Sequence, residues 1–402
     1  MRRFLILFCS VLISFCLGGV YAWSAFVPAL QKEFGLSALQ CQVVFGLTIA
    51  IFTIAMVPAG RLLGRLAPRF LAGAGGLLLA AGYVIASASG GDFRQIVLGV
   101  GVVGGVGIGL AYVVPIAVCL RWFPNHRGLI TGLTVCGFGA GGVGLSAIVG
   151  SMQEAGVATL GIFRLVGLVY ACLVIPASMA LAMPDDGTAA SGPGRPSEPL
   201  ANLVRTRAFL VLALGIFCGT FAGLLVIGNL RSIGLSAGVA PAAAMMGISL
   251  FAVGNAAGRI TWGLLVDRFG RVCMPVSLLV LAGAIILKAL PGSSEFLFLS
   301  GALVCGFAFG ACFVVYAAQV SERFGVEVFA SLYPLVFLFY GLSGVLGPVV
   351  GGSVFDATGS YVPAMALAVA VALAGAAGTT LLDRSPAAWG QQVEPLRSCG
   401  NG

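Results

Sequence analysis

Apolar residues run along this 402-residue chain in stretches of about twenty, broken by short polar or basic clusters. Each stretch is long enough to cross about 30 Å of hydrocarbon as an α-helix. With the interruptions taken as loops, the pattern predicts spans near residues 4–30, 40–60, 70–90, 95–120, 128–150 and 160–183. A second set follows near 207–230, 241–265, 272–291, 295–319, 328–352 and 361–382. The expected fold is an all-α membrane protein of about twelve helices. One extended polar segment, 184–207, contains Asp185, Asp186, Gly192, Pro193, Gly194, Arg195 and Pro196 and reads as a linker. The expected organisation is therefore a six-helix half over 1–183, a linker over 184–206, a second half over 207–384 and a tail over 385–402. The opening Met1-Arg2-Arg3 and its apolar run have the shape of a signal peptide. The run continues through Tyr21, Trp23 and Phe26 to Leu30, too long for a signal core, and is expected to be the first membrane helix.

Composition agrees with a lipid-solvated fold. Hydrophobic residues make up 59% of the chain and charged ones 8%, against about 25% charged in an average soluble domain, and the mean hydropathy is +1.09. The formal net charge of +8 comes from basic residues scattered singly between apolar runs, with no stripe for nucleic acid. Their distribution is topological. With the amino terminus inside, fifteen of the 21 basic residues fall in inner segments and five in outer ones, which places both termini and the linker in the cytoplasm of an inner-membrane protein. The eleven cysteines show no CxxC or Cys/His spacing, so neither a metal nor a cofactor is expected. The one histidine, His126, lies in a loop, and no Asp, His, Ser and Cys constellation at membrane depth suggests an enzyme. The glycine runs at 101–109 and 137–144 have no preceding strand and no following Lys-Ser/Thr, and read as close helix-packing surfaces instead of nucleotide loops.

The two sets of spans resemble each other. Gly60-Arg61-Leu62-Leu63-Gly64-Arg65 closes the second span and Gly263-Leu264-Leu265-Val266-Asp267-Arg268 the eighth, and Tyr112 matches Tyr316 as Gly137 matches Gly341. Such a repeat is a transporter architecture with the substrate held between the halves near the midplane. Gly263 through Asp267, Arg268, Gly270 and Arg271 matches the G-x-x-x-D-R-x-G-R loop signature of the major facilitator superfamily. The first-half copy keeps Gly60, Arg61 and Arg65 but has Gly64 in place of the acid and Pro68 in place of the second glycine. An Asp at a helix end beside arginines can latch helix termini in one conformation.

Within that superfamily the chain resembles the oxalate/formate antiporter and monocarboxylate transporter branch. The resemblance rests on Gly18-Gly19-Val20-Tyr21-Ala22-Trp23-Ser24, Gly109-Leu110-Ala111-Tyr112, the loop Arg121-Trp122-Phe123-Pro124-Asn125-His126-Arg127-Gly128-Leu129, and Asn255 with Arg259. It implies secondary transport of a small carboxylate by alternating access, as antiport or proton symport, with Arg259 binding the anion and protons or a counter-transported anion as coupled partner. Tyr340 stands where the oxalate-exchanging members carry a lysine, and Asn255 where the proton-coupled ones carry an aspartate. A single buried cation suits a monocarboxylate such as formate, lactate or pyruvate.

Arg259 lies eight residues before Asp267, about 12 Å into the bilayer by helical rise. An ionised side chain at that depth costs a few kcal/mol unless it faces a cavity or a partner. No Asp or Glu falls near the centre of a predicted span, so the substrate is the expected partner. Asn255 shares its helical face. Tyr21, Tyr112 and Tyr340 are candidate cavity residues, with Trp23, Tyr316 and Tyr333 behind them. Two other readings stay open: an efflux carrier for a hydrophobic compound or drug, and a non-transporting membrane sensor. The orientation has a direct test. Impermeant thiol labelling of Cys399 in intact cells is expected to be weak until the membrane is opened, and strong labelling from outside would reverse the topology.

Overall fold

The computed structural model describes residues 2–184, 199–289 and 294–383. The linker residues from Asp185 to Arg195, and Arg384, Arg397 and Cys399, lie outside these. The described residues are helical, with no strand among them. The membrane-length helices are α1 (Arg2–Phe34), α2 (Ala38–Leu62), α3 (Pro68–Ser87), α4 (Phe93–Trp122), α5 (Arg127–Glu154) and α6 (Thr159–Met179). After a short turn of helix at Leu200–Leu203 come α7 (Arg207–Ser236), α8 (Pro241–Phe269), α9 (Cys273–Ala289), α10 (Glu295–Phe324), α11 (Val326–Thr358) and α12 (Val362–Leu382). Several helices run longer than the sequence pattern suggests, because polar residues continue their first or last turns.

Helix starts follow local chemistry. Ser37 and Gln40 form a capping box ahead of α2, while Asp92, Thr206 and Ser294 accept backbone N–H bonds at the starts of α4, α7 and α10. Two helices depart from regular α geometry. α1 tightens to a 3₁₀ turn at Gly19–Ala22, and α4 widens to a π-helix at Val97–Gly104. Both contain glycine runs, which hold α geometry weakly.

Packing repeats between the two sets of six. α2 lies on α4 as α8 lies on α10, α1 on α5 as α7 on α11, and α3 on α6 as α9 on α12. The halves meet where α5 packs on α8 and α2 on α11. Large apolar side chains such as Phe4, Phe8, Leu77, Leu173 and Phe296 point outward, where lipid is the solvent.

The start of α1 and the end of α12 lie on one face, called here the terminal face, and there the halves are shut. Backbone N–H groups of Gly128 and Leu129, at the start of α5, donate to Asp267 Oδ1 and Oδ2 at 2.6 and 2.9 Å. The carboxylate thus caps a helix of the other half at its positive end. The approach depends on missing side chains: a Cβ on Gly263 would sit 2.5 Å from the Gly128 carbonyl oxygen. Arg127 adds a bond from Nη1 to the Ser321 carbonyl at 3.0 Å. On the α2–α11 side, Gly60 abuts the Ala330 backbone, and the Ser331 hydroxyl reaches its carbonyl at 3.5 Å. Among the described residues no carboxylate bonds across that side, where Gly64 occupies the position of the acid. Within the second half, Arg323 grips Asp383 with two bonds of 2.7 and 2.8 Å, tying α10 to α12.

Asp267→Asn removes the charge and turns one acceptor into a donor facing Leu129 N–H. It is expected to weaken the shut terminal face by on the order of 1 kcal/mol, about fivefold in the ratio of states. Spin labels at Asn125 and Phe269 read this as a longer distance, and an unchanged distribution would remove Asp267 as the latch.

Candidate functional site

The centre of the bundle is organised by Arg259, which is 1% exposed. Its helix, α8, runs between α10 of its own half and α5 of the other. Nε donates to Asn255 Oδ1 at 3.2 Å, one turn earlier on the same helix. Nη1 donates to the Val135 carbonyl of α5 at 2.5 Å. The guanidinium carbon lies 4.7 Å from the centroid of the Phe313 ring on α10, a cation–π contact. Among the described residues no carboxylate lies within ion-pair distance of it. The acids that the sequence places at helix ends are found there: Glu33 ends α1 and bonds Thr159, Glu295 begins α10, and Asp356 lies in the last turn of α11.

A carbonyl inside an α-helix is already bonded along its own chain, and Val135 can be shared with a cation only because Gly139, four residues on, has no side chain. A Cβ there would stand 2.9 Å from Nη1. The glycine run of α5 therefore opens a slot for the guanidinium as well as a packing surface.

Tyr21 and Tyr340 meet across the halves, their hydroxyls 2.8 Å apart. Tyr21 sits in the 3₁₀ turn of α1, which swings its ring edge-on to Phe138 at 5.4 Å and brings its phenol within reach of Arg259. Tyr340 packs edge-on against Phe313 and beside Phe337. Tyr112 lies next to this group in contact with Phe52, Phe138 and Phe337. All five predicted site residues, Arg259, Asn255, Tyr21, Tyr112 and Tyr340, thus come together in one aromatic-walled layer. Trp23 and Tyr316 do not join them. The Trp23 indole donates to the Cys41 carbonyl within the first half, and Tyr316 is buried against Gly215 of α7.

Phe313, Phe138, Phe337, Gly139 and the Val135 carbonyl belong to the layer and escaped the sequence reading. Apolar rings and backbone carry no signal in an apolar chain, and Gly139 is one of five glycines in an eight-residue run that read alike.

Of the loop signature, Gly263 and Asp267 touch the other half as described. Gly270 has φ +56°, which favours glycine, and turns the chain from α8 toward α9. Arg271 reaches the Asp383 carbonyl at 3.5 Å, and Arg268 lies over the ring of Phe269. Arg61 and Arg65 are exposed on the terminal face.

Gly139→Ala is expected to push the guanidinium off Val135 and to weaken the α5–α8 seam by about 1.5–3 kcal/mol, the scale of a charge-assisted hydrogen bond. The spin-label pair at Asn125 and Phe269 should report a smaller closed population, and an unaltered one would show that the slot carries no weight.

The comparisons with known proteins agree with this architecture. The chain is 27% identical over 351 residues to the uncharacterized MFS-type transporter YhjX of Escherichia coli, covering 85% of this chain and 86% of the relative. It is 24% identical to the oxalate:formate antiporter of Oxalobacter formigenes, covering 95% and 92%, and 26% identical to human monocarboxylate transporter 11, covering 87% and 76%. Among solved structures, the transporter FucP in the outward conformation superposes with a TM-score of 0.73 at 18% identity, covering 93% of this chain and 97% of that one. A double Trp mutant of XylE gives 0.73 at 14% identity, covering 94% and 95%, and these likenesses speak to the fold. The family profile described as Major Facilitator Superfamily matches residues 4–247 and 210–396, and the chain belongs to that superfamily of membrane transporters.

Proposed function

We propose that this transporter carries a small monocarboxylate, such as formate, lactate or pyruvate, by alternating access, with Arg259 as the group that holds the anion. The observation that carries the reading is a guanidinium 1% exposed, about 12 Å from the terminal face, with no carboxylate near it among the described residues. Lipid-embedded charge of this kind is kept where it serves a substrate or ion path. A guanidinium has five N–H donors, so the bonds to Asn255 and Val135 leave others for a carboxylate. The Tyr21 phenol beside it can donate to the same anion, and the rings of Phe313, Phe138 and Tyr112 exclude water and strengthen the pairing. The other described arginines lie near helix ends or in loops. With Tyr340 in the layer and no second cation there among the described residues, one carboxylate is matched better than two. Relatives named for oxalate and formate exchange and for monocarboxylate transport support the class of substrate.

Alternating access follows from where the halves touch. The bonds of Asp267 and Arg259 both join α8 to α5, and those of Ser331 and Tyr340 join α11 to α2 and α1. Rocking the halves apart at the terminal face would break the Asp267 and Ser331 bonds first and open a path to Arg259. The two bodies that rock are 1–183 and 207–384, joined by the linker 184–206 and followed by the tail 385–402. By the distribution of basic residues, the terminal face is cytoplasmic, in keeping with a multi-pass protein of the cell's inner membrane. Transport is coupled to a counter-moving anion or to protons.

Arg259→Ala is expected to abolish carboxylate binding and uptake, measured in proteoliposomes and normalised to folded protein. Arg259→Lys should also be impaired by at least about tenfold, because an ammonium lacks the planar two-point grip. Near-normal uptake by folded Arg259→Ala would remove the anion assignment.

A further inference from the structure

Between the Arg259 layer and the shut terminal face, α11 carries Tyr333. Its ring is 0% exposed, and its hydroxyl has no hydrogen-bond partner among the described residues. The ring stacks on Phe329 at 4.9 Å and 13°, and leans on Phe337 at 5.4 Å. The Tyr112 phenol of α4, from the other half, stands close to the Tyr333 hydroxyl without the geometry of a hydrogen bond, and both are within electrostatic reach of Arg259. Position along α11 fixes the order of contacts. Ala330 and Ser331, one turn toward the terminal face, press on Gly60, and Tyr340, two turns the other way, bonds Tyr21.

A hydroxyl buried without a partner costs free energy that a phenylalanine would avoid. Two other phenols among the described residues share this condition, Tyr170 and Tyr316. Tyr170 lies within the first half, edge-on to Tyr83 and against Gly19, and Tyr316 lies within the second, against Gly215. Tyr333 differs in facing the seam between the halves, where a path from Arg259 to the terminal face must pass. The rings of Phe329 and Phe337 beside it offer no acceptor, whereas a carboxylate moving along that seam brings two.

We propose that the Tyr333 hydroxyl, with that of Tyr112 opposite, forms a second subsite for the carboxylate on the terminal side of Arg259, engaged when that face opens. Two phenol donors from opposite halves hold the anion as it leaves the guanidinium, and they part as the halves separate. This rests on the reading of Arg259 as the anion-binding group.

The test uses the full chain in proteoliposomes with radiolabelled formate, lactate and pyruvate, and compares wild type, Tyr333→Phe, Tyr316→Phe and Arg259→Ala. Tyr333→Phe is expected to fold with a Tm equal to or above that of wild type, since it sheds an unsatisfied hydroxyl. Its transport should nevertheless fall about tenfold, the effect of one hydrogen bond to a charged group. The rise in KM should be larger for substrate supplied at the terminal face than at the opposite one. Tyr316→Phe should match wild type. The subsite is overturned if Tyr333→Phe transports within about twofold of wild type from both faces, or if its Tm falls, which would make the hydroxyl a structural contact. Transport lost in Arg259→Ala but intact in Tyr333→Phe would overturn the subsite alone. Failure of wild type to move any of the three carboxylates would overturn it together with the Arg259 reading.

Discussion

A permanent positive charge buried among apolar helices is the constraint around which the centre of this transporter is arranged. A guanidinium carries charge and five donors to satisfy, and Arg259 lies too deep to reach water along its own helix. Its surroundings meet that demand piecemeal. Asn255 takes Nε, the Val135 carbonyl takes Nη1 and the face of Phe313 receives the cation. None of these neutralises the charge. They hold the guanidinium in place while leaving it attractive to an anion, which an ion pair with a protein carboxylate would prevent.

The same charge is tied to the machinery of opening. Arg259 and Asp267 are eight residues apart on α8, and both bond to the backbone of α5, one to a carbonyl in mid-helix and the other to N–H groups at the helix start. Backbone groups are available as partners only where side chains are missing, and Gly139, Gly128 and Gly263 provide those gaps. Any motion of α8 away from α5 therefore changes the environment of the arginine and the acid together. On the proposed assignment, an anion on Arg259 would alter the cost of that motion, which is how a substrate can bias a conformational equilibrium. Among the described residues, the opposite seam between α2 and α11 is held by Gly60 packing and a long serine bond, with no carboxylate, so the two seams differ in how strongly charge closes them.

The membrane class and the number of helices were legible in the chain because apolar length alone determines whether a helix can span lipid. Arg259, Asn255 and Asp267 were legible for a related reason. A charge within an apolar run is costly, a spacing of four residues puts two side chains on one helical face, and an acid at a helix end has few uses. These are local properties, carried by neighbours in sequence. Tyr21 and Tyr340 were visible as candidates, yet nothing along the chain pairs residues 319 positions apart. The 3₁₀ turn that aims Tyr21 was hidden as well, since Gly18-Gly19 permits a break without requiring one.

What tertiary structure decided is which groups share the seam between the halves. The sequence put Tyr112 ahead of Tyr316 and Tyr333 as a cavity candidate but gave no means to separate the latter two, and packing sends Tyr316 into the second half while bringing Tyr333 close to Tyr112. It also turned Gly139 from one more small residue into the slot for a guanidinium. Apolar periodicity identifies a membrane helix and its length, but in lipid both its outer and inner faces are apolar, so the hydrophobic pattern carries little information about rotation. Spans and the costly arginine were therefore written in the sequence, and the partners of that arginine were settled only when the helices packed.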